Sequence, residues 1–115
     1  MKISAIKELL DAKVLTSEEN LDGEVYSACG CDLMSDVLAF VKDQAVLLTG
    51  LVNPQVIRTA VMMDMVCIVF VRSKLPTPEM LELARESGIV VMSTEKTLYS
   101  SCGLLFSNGL TGAKK

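Results

Sequence analysis

The chain has 115 residues, of which 11 are basic and 14 acidic, so its formal net charge is −3, and half of its residues are apolar. This length predicts one domain whose core is large enough to be stable without disulfides or metal ions. The negative charge, the scattered basic residues and the presence of only two tyrosines and three phenylalanines argue against nucleic acid as a partner. The chain contains no histidine, which excludes Ser-His and Cys-His catalysis.

The apolar residues do not form a segment that could enter a membrane. The longest uninterrupted apolar run is Met65 to Val71, whereas a transmembrane helix needs about 20 residues. Lys2, Lys7 and Glu8 interrupt the first residues, which therefore lack the apolar stretch of a signal peptide. We expect a cytoplasmic protein with no membrane partner.

The first half of the chain predicts two helices and three short strands. Ser4 to Asp11 has the apolar spacing of an amphipathic helix, and a strand is expected at Lys13 to Thr16. Glu24 to Cys29 predicts a second strand, which enters a bend at Gly30-Cys31. Asp32 is then expected to be the N-cap of a helix ending near Lys42, and Gln44 to Leu48 is the third strand.

The next unit carries the clearest signals. Asn53 is the expected N-cap of a helix with Pro54 at its first position, where the missing N–H costs nothing. Met65 to Val71 follows as a strand that is apolar at every position. A strand that is apolar on both faces must be covered on both faces, which predicts the middle of a parallel sheet with helices on either side.

The last part of the chain repeats this pattern. Thr77 to Gly88 predicts a helix, and Ile89 to Met92 predicts a strand. Ser93-Thr94 is expected to open a final helix, whose inner side would consist of Leu98, Tyr99, Cys102, Leu105 and Phe106. Successive strand–helix units with short connections predict an α/β fold, a three-layer α/β/α sandwich with a mainly parallel central sheet. Residues 1–110 would form this single domain, and residues 111–115 would form a flexible tail.

Small and polar residues follow the predicted parallel strands. Ligands of such sheets bind outside the carboxyl ends of the strands, near the free N–H groups of the helix starts. We therefore predict a site for a small anionic metabolite or a nucleotide, formed by Thr49, Gly50, Asn53, Arg72, Ser93 and Thr94. The alternative is that these residues only cap their own helices and permit tight bends. Neither the glycine-rich dinucleotide fingerprint nor the ending of a P-loop is present.

Two cysteines lie close together at Cys29 and Cys31. Two thiols fall short of the four ligands that a structural zinc ion or an iron-sulfur cluster normally requires, so we expect no metal and no cofactor. A cluster shared by two Cys29/Cys31 pairs across a two-fold axis stays open as an alternative. Cys67 and Cys102 are expected in the core, where free cysteine behaves as a small hydrophobe.

The order of these pieces resembles a DRTGG domain. The resemblance covers nearly the whole chain and depends on DLMSDVL at 32–38, LTGLVNP at 48–54 and IVVMST at 89–94. The literal Asp-Arg-Thr-Gly-Gly string is absent, and its nearest counterparts are Leu48-Thr49-Gly50 and Arg58-Thr59.

The resemblance implies a fold akin to the N-terminal domain of the bacterial HPr kinase/phosphorylase. Domains of this family occur beside CBS domains in regulated pyrophosphatases and as small free-standing proteins encoded with iron-hydrogenase components, and they form dimers. No catalytic residues are established for them. We therefore predict a non-enzymatic regulatory or scaffold module that forms a homodimer. The alternative is an accessory protein of an iron-sulfur enzyme, such as iron hydrogenase, which would use Cys29 and Cys31.

Overall fold

The computed structural model describes residues 1–41 and 44–112, without the side chain of Phe40. Its elements, in chain order, are α1 (Ile3–Leu10), β1 (Lys13–Thr16), a short 3-10 turn (Glu18–Asn20), β2 (Ser27–Gly30), α2 (Met34–Phe40), β3 (Ala45–Thr49), α3 (Pro54–Met62), β4 (Cys67–Phe70), α4 (Pro78–Glu86), β5 (Val90–Ser93) and α5 (Leu98–Ser107). None of the helices in this part of the chain combines the length and the apolar character needed to cross a bilayer.

The five strands form one sheet in the order β1-β5-β4-β3-β2. Strands β2 to β5 are parallel to their neighbours, and β1 pairs antiparallel with β5 at one edge. Thr49 lies opposite Phe70, which in turn lies opposite Ser93. The carboxyl ends of β3, β4 and β5 therefore lie in a row along one edge of the sheet, and the mainly parallel arrangement predicted from the sequence is confirmed.

Every residue of β3, β4 and β5 is buried, because helices cover both faces of the sheet. On one face, apolar residues of α2, α3 and α4 pack against alternate strand residues such as Leu47, Ile68 and Val91. On the other face, α1 and α5 pack against the intervening residues, among them Leu48 and Met92. This alternation follows from the two-residue period of a strand. The three-layer α/β/α sandwich is confirmed.

The predicted starts of α3 and α4 are confirmed at atomic detail. The side chain of Asn53 accepts a hydrogen bond of 2.8 Å from the N–H of Gln55, and that of Thr77 accepts one of 3.3 Å from the N–H of Met80. A proline occupies the start of each helix. Gly88 follows the end of α4 with φ at 68°, a left-handed conformation that glycine adopts without strain.

The prediction that Asp32 caps α2 is wrong. Leu33 occupies the N-cap position, and its side chain makes no capping hydrogen bond. The Oδ1 atom of Asp32 instead accepts hydrogen bonds from the hydroxyl of Thr49, at 2.9 Å, and from the N–H of Gly50, at 2.8 Å. The carboxylate of Asp32 therefore bonds to the end of β3 and not to the first turn of α2. The helix ends at Phe40, and the predicted end near Lys42 lies outside the described residues.

The prediction that Ser93-Thr94 opens the last helix is also wrong. The N-cap of α5 is Thr97, whose hydroxyl accepts a hydrogen bond of 3.2 Å from the N–H of Ser100. Ser93 is the last residue of β5, and the hydroxyl of Thr94 donates to the carbonyl of Leu10. Ser93, Thr94 and Thr97 are all residue types that can cap a helix. The hydroxyls of Ser93 and Thr94 instead bond to distant backbone carbonyls, so only Thr97 caps α5.

The inner face of α5 was only partly predicted. Leu105 is buried and Cys102 is half-buried, whereas Tyr99 is 89% and Phe106 67% exposed. The helix turns by about 100° per residue, so Tyr99 and Phe106 lie beyond the buried stripe on the solvent side.

The segment after α5 packs against the edge of the sheet. Leu110 is buried, and the N–H of Ala28 on β2 donates a hydrogen bond of 3.0 Å to the carbonyl of Thr111. Residues 113–115 of the predicted tail lie outside the described part of the chain. The boundary of the domain at residue 110 stays a prediction.

Candidate functional site

The helices that follow β4 and β5 leave the sheet toward opposite faces. Met80 and Ala84 of α4 belong to the core on one face, and Leu105 of α5 belongs to the core on the other. Adjacent parallel strands whose following helices diverge in this way leave a crevice outside their carboxyl ends, which is where open α/β sheets bind ligands. A ligand site is therefore expected in the crevice between β4 and β5.

A cleft of about 390 Å³ lies at this crevice. This volume falls in the range of about 300–1,000 Å³ that is usual for small-molecule sites. Its lining comes from the end of α1, the start of β1 and the loops after β4 and β5, and consists of Leu10, Asp11, Lys13, Ser73, Leu75, Ser93, Thr94, Glu95 and Lys96.

The two loops of the cleft are joined by backbone hydrogen bonds. The N–H of Arg72 donates to the carbonyl of Lys96, and the N–H of Ser73 donates to that of Thr94, both at 2.8 Å. Arg72 and Ser73 have φ values of 55° and 59°, a left-handed conformation that costs a non-glycine residue about 1 kcal/mol or more. The two hydrogen bonds hold this strained turn in place, so these two N–H groups already have backbone partners.

The structure places two of the six predicted ligand residues, Ser93 and Thr94, in the cleft. The hydroxyl of Ser93 donates to the carbonyl of Lys74 at 2.9 Å, so its oxygen can still accept a hydrogen bond. The hydroxyl of Thr94 donates to the carbonyl of Leu10 at 2.7 Å and accepts the N–H of Lys96 at 3.3 Å. Thr94 is buried and therefore orders the loop beneath the cleft.

The other four predicted residues lie on the same edge of the sheet but do not line this cleft. Thr49 and Gly50 both donate to Asp32, and Asn53 caps α3. A Cβ atom on Gly50 would lie 3.3 Å from Nη2 of Arg72 and 3.8 Å from Oδ2 of Asp32. Glycine at position 50 thus leaves room for the arginine side chain. The role of these four residues in ligand binding stays a prediction.

Sequence reasoning missed all four charged residues that line the cleft, namely Asp11, Lys13, Glu95 and Lys96. Lys96 carried a weak signal, since it lies in the short connection after a predicted parallel strand. Lys13 carried none, because nothing local shows that β1 returns antiparallel beside β5 and brings Lys13 opposite Ser93. Asp32 was predicted as a helix cap. Its hydrogen bonds to Thr49 and Gly50 could not be deduced from the spacing of these residues in the sequence.

Three of the four cysteines, Cys29, Cys31 and Cys102, lie at the edge strand β2, and Cys67 is buried on β4. Cys29 and Cys31 pack against the core of α2 to α4, and Cys102 packs against the core of α1 and α5. Burial raises the pKa of the Cys29 thiol to about 11, and the neighbouring Cys31, Cys102 and Asp36 add to this effect. Burial also raises the pKa of Cys67 and of Cys102. These thiols are therefore neutral at neutral pH.

The described residues contain no group of three or more Cys, Asp or Glu side chains placed to hold a metal ion. Cys31 has local partners, since its Sγ lies 3.3 Å from both the N–H and the carbonyl of Leu33.

No protein-family model matches the chain, and no curated protein matches its sequence. A solved structure does match in fold. It is the crystal structure of the CBS and DRTGG domains of the regulatory region of Clostridium perfringens pyrophosphatase, complexed with its activator diadenosine tetraphosphate. The TM-score is 0.72 at 16% sequence identity, and the match covers 90% of this chain. Our chain spans 45% of that one. Identity this low establishes shared architecture alone, and the chain has a DRTGG-like α/β/α fold.

Proposed function

We propose that this chain is a non-enzymatic regulatory module that binds a small anionic metabolite or nucleotide at the carboxyl ends of its parallel strands. The observation that carries the proposal is the cleft at the divergence of α4 and α5, which two lysines and three hydroxyl residues line. The structurally similar pyrophosphatase segment is a regulatory region in complex with a nucleotide activator, which supports the same kind of role here.

The polar groups of the cleft suit binding better than catalysis. Thr94 donates to a backbone carbonyl and Ser93 to another, so neither hydroxyl is activated by a neighbouring base. The sequence has no histidine that could act as one. The ammonium groups of Lys13 and Lys96 can nevertheless hold an anion through charge-assisted hydrogen bonds.

Thermal unfolding in the presence of nucleotides and phosphorylated metabolites tests this proposal. A ligand that binds only the native state stabilises it by about 2.7 kcal/mol at 100 times its Kd, which raises the Tm by several degrees. Ser73→Trp should fill the cleft and abolish the shift. Ser35→Trp, at an exposed position of α2 outside the cleft, is the matched control and should keep it. The absence of any shift at millimolar concentrations would refute the ligand-binding role.

We also propose that the module forms a homodimer through the outer face of α5. Tyr99 and Phe106 project from this face beside an apolar groove whose other walls are Ala28, Gly30, Cys102, Gly103, Leu110 and Gly112. None of these eight residues is charged. Large exposed apolar surfaces of this kind commonly form interfaces.

The alternative proposal is that the chain is an accessory protein of an iron-sulfur enzyme. It would then belong to the free-standing DRTGG proteins that are encoded with iron-hydrogenase components. Cys29 and Cys31 would then contact the cluster. Anaerobic reconstitution followed by an absorption spectrum distinguishes the two proposals. A colourless protein, with a Cys31→Ser variant that behaves as the parent, would remove this alternative. The raised pKa of Cys29 favours the ligand-binding module, since the thiolate is the form that binds metal.

A further inference from the structure

Four charged side chains line the cleft. Asp11, Lys13, Glu95 and Lys96 all contribute to its walls, yet within residues 1–41 and 44–112 none of them forms an ion pair. The ion pair found in this part of the chain joins the N-terminal ammonium of Met1 to Glu24. The cleft thus offers two ammonium groups and two carboxylates to a ligand. A ligand with an anionic group and several hydrogen-bond donors would be complementary to both.

The two lysines are placed to converge on the end of β5. Lys13 lies directly opposite Ser93 in the antiparallel pair of β1 and β5, and opposite residues project their side chains to the same face, about 5 Å apart at Cβ. Lys96 is half-buried, and its backbone is held on both sides, by Thr94 through its N–H and by Arg72 through its carbonyl. Two ammonium groups beside the end of β5 suit a doubly charged anion.

The start of α5 and the end of α1 give the cleft a more positive side and a more negative side. Helix α5 begins just after Lys96, so the positive end of its dipole strengthens the cationic side. Helix α1 ends at Leu10, and its negative end lies beside Asp11. The carboxylates of Asp11 and Glu95 are exposed and can accept hydrogen bonds. In dinucleotide-binding α/β folds an acidic side chain accepts hydrogen bonds from a ribose hydroxyl, and the two carboxylates of this cleft can accept hydrogen bonds from sugar hydroxyls in the same way.

We infer that the ligand of this cleft is a phosphorylated sugar, the class that includes the nucleotides, bound with its phosphoryl group between Lys13 and Lys96 and its sugar hydroxyls on Asp11 and Glu95. This inference rests on the proposed ligand-binding function and specifies its chemistry. Ser73 lines the same cleft, and Thr94 positions the loop.

Isothermal titration calorimetry at low salt tests the inference with four probes: AMP, ribose 5-phosphate, adenosine and inorganic phosphate. We expect AMP and ribose 5-phosphate to bind, adenosine not to bind, and inorganic phosphate to bind more weakly than either phosphorylated sugar. Lys13→Ala and Lys96→Ala should each weaken the binding of ribose 5-phosphate roughly tenfold, the effect of removing one charged hydrogen bond. Glu95→Gln should weaken ribose 5-phosphate but leave inorganic phosphate unchanged or tighter.

Arg85→Ala is the control for loss of a positive charge, because Arg85 is exposed in the last turn of α4 and does not line the cleft. Circular dichroism of each variant establishes that it is folded. If AMP or another metabolite binds but the lysine variants bind it normally, or if adenosine binds as tightly as AMP, the inference is overturned and the ligand-binding function stands. If no probe and no member of the metabolite panel binds, both are overturned.

Discussion

Cys29 shows how burial controls a single thiol. Its side chain is half-buried on β2, and its pKa rises from 9.0 to about 11. In the unfolded chain the thiol ionises near pH 9, whereas in the folded chain it stays protonated until about pH 11. The unfolded state therefore loses this proton first, and the contribution of Cys29 to stability is complete below pH 9 and is lost as the pH rises to 11.

We predict that the unfolding free energy falls less steeply between pH 9 and pH 11 in Cys29→Ala than in the parent chain. Denaturant titrations at a series of pH values measure this difference. Cys67 is common to both proteins and is shifted by burial alone, so its ionisation cancels in the comparison. Parallel curves for the two proteins over the whole range would contradict the assigned pKa.

Gly30 lies against Cys102, whose Sγ occupies the space that a side chain at position 30 would need. A Cβ atom at this position would collide with Sγ of Cys102. We predict that Gly30→Ala lowers the unfolding free energy by about 1–3 kcal/mol through overpacking. Adding Cys102→Ala should restore part of the loss, giving a favourable coupling in a double-mutant cycle.

Gly103→Ala is the matched control for this cycle, because a Cβ atom on Gly103 meets no other atom within 4 Å. This change should stabilise α5 by roughly 0.5–1 kcal/mol, the usual gain for alanine over glycine inside a helix. Equal effects of the two glycine substitutions on stability would show that the Gly30–Cys102 contact is unimportant.

At the scale of the elements, α5 depends on Thr97. The hydroxyl of Thr97 satisfies the N–H of Ser100 at the helix start, so Thr97→Ala should lower the unfolding free energy by about 1 kcal/mol. Thr97→Ser retains the oxygen and should be close to the parent chain. Thermal or chemical denaturation measures both variants. An alanine variant as stable as the serine variant would assign the start of α5 to another cap.

The turn between β4 and α4 links the two groups of predicted ligand residues. Its strained residues, Arg72 and Ser73, direct one side chain toward Gly50 and the other into the cleft. Parallel strands lie about 4.8 Å apart, so the ends of β3 and β5 are separated by roughly 10 Å across this turn. The six residues predicted as one site thus share an edge of the sheet, while the cleft itself lies at one end of that row.

At the scale of the whole molecule, the exposed apolar face of α5 is the proposed contact between two copies of the chain. If this face forms the proposed homodimer, sedimentation velocity should give twice the chain mass, and Phe106→Lys should give the monomer mass by placing two charges in the contact. Met62→Lys is the control, since Met62 on α3 is equally exposed, at 68%, but lies on the opposite layer. A monomeric parent chain, or a Phe106→Lys variant that remains dimeric, would rule out this interface.

The sequence by itself determined the architecture, because the signals for it are local. Asn53-Pro54 and Thr77-Pro78 mark helix starts through bonds within one turn, and the apolar run around β4 requires cover on both faces wherever it lies. The sheet edge that carries the candidate residues follows from these elements and the parallel direction of the strands.

Only the tertiary structure decided which residues meet at that edge. Asp32 bonds to β3 instead of its own helix, Thr94 bonds to the end of α1, and Lys13 reaches Ser93 through an antiparallel pairing. These contacts join residues 17 to 84 positions apart. Local propensity carries no information on such pairs, since the same carboxylate or hydroxyl can satisfy a nearby helix or a distant strand with similar energy, and the packing of the whole chain determines which partner is within reach.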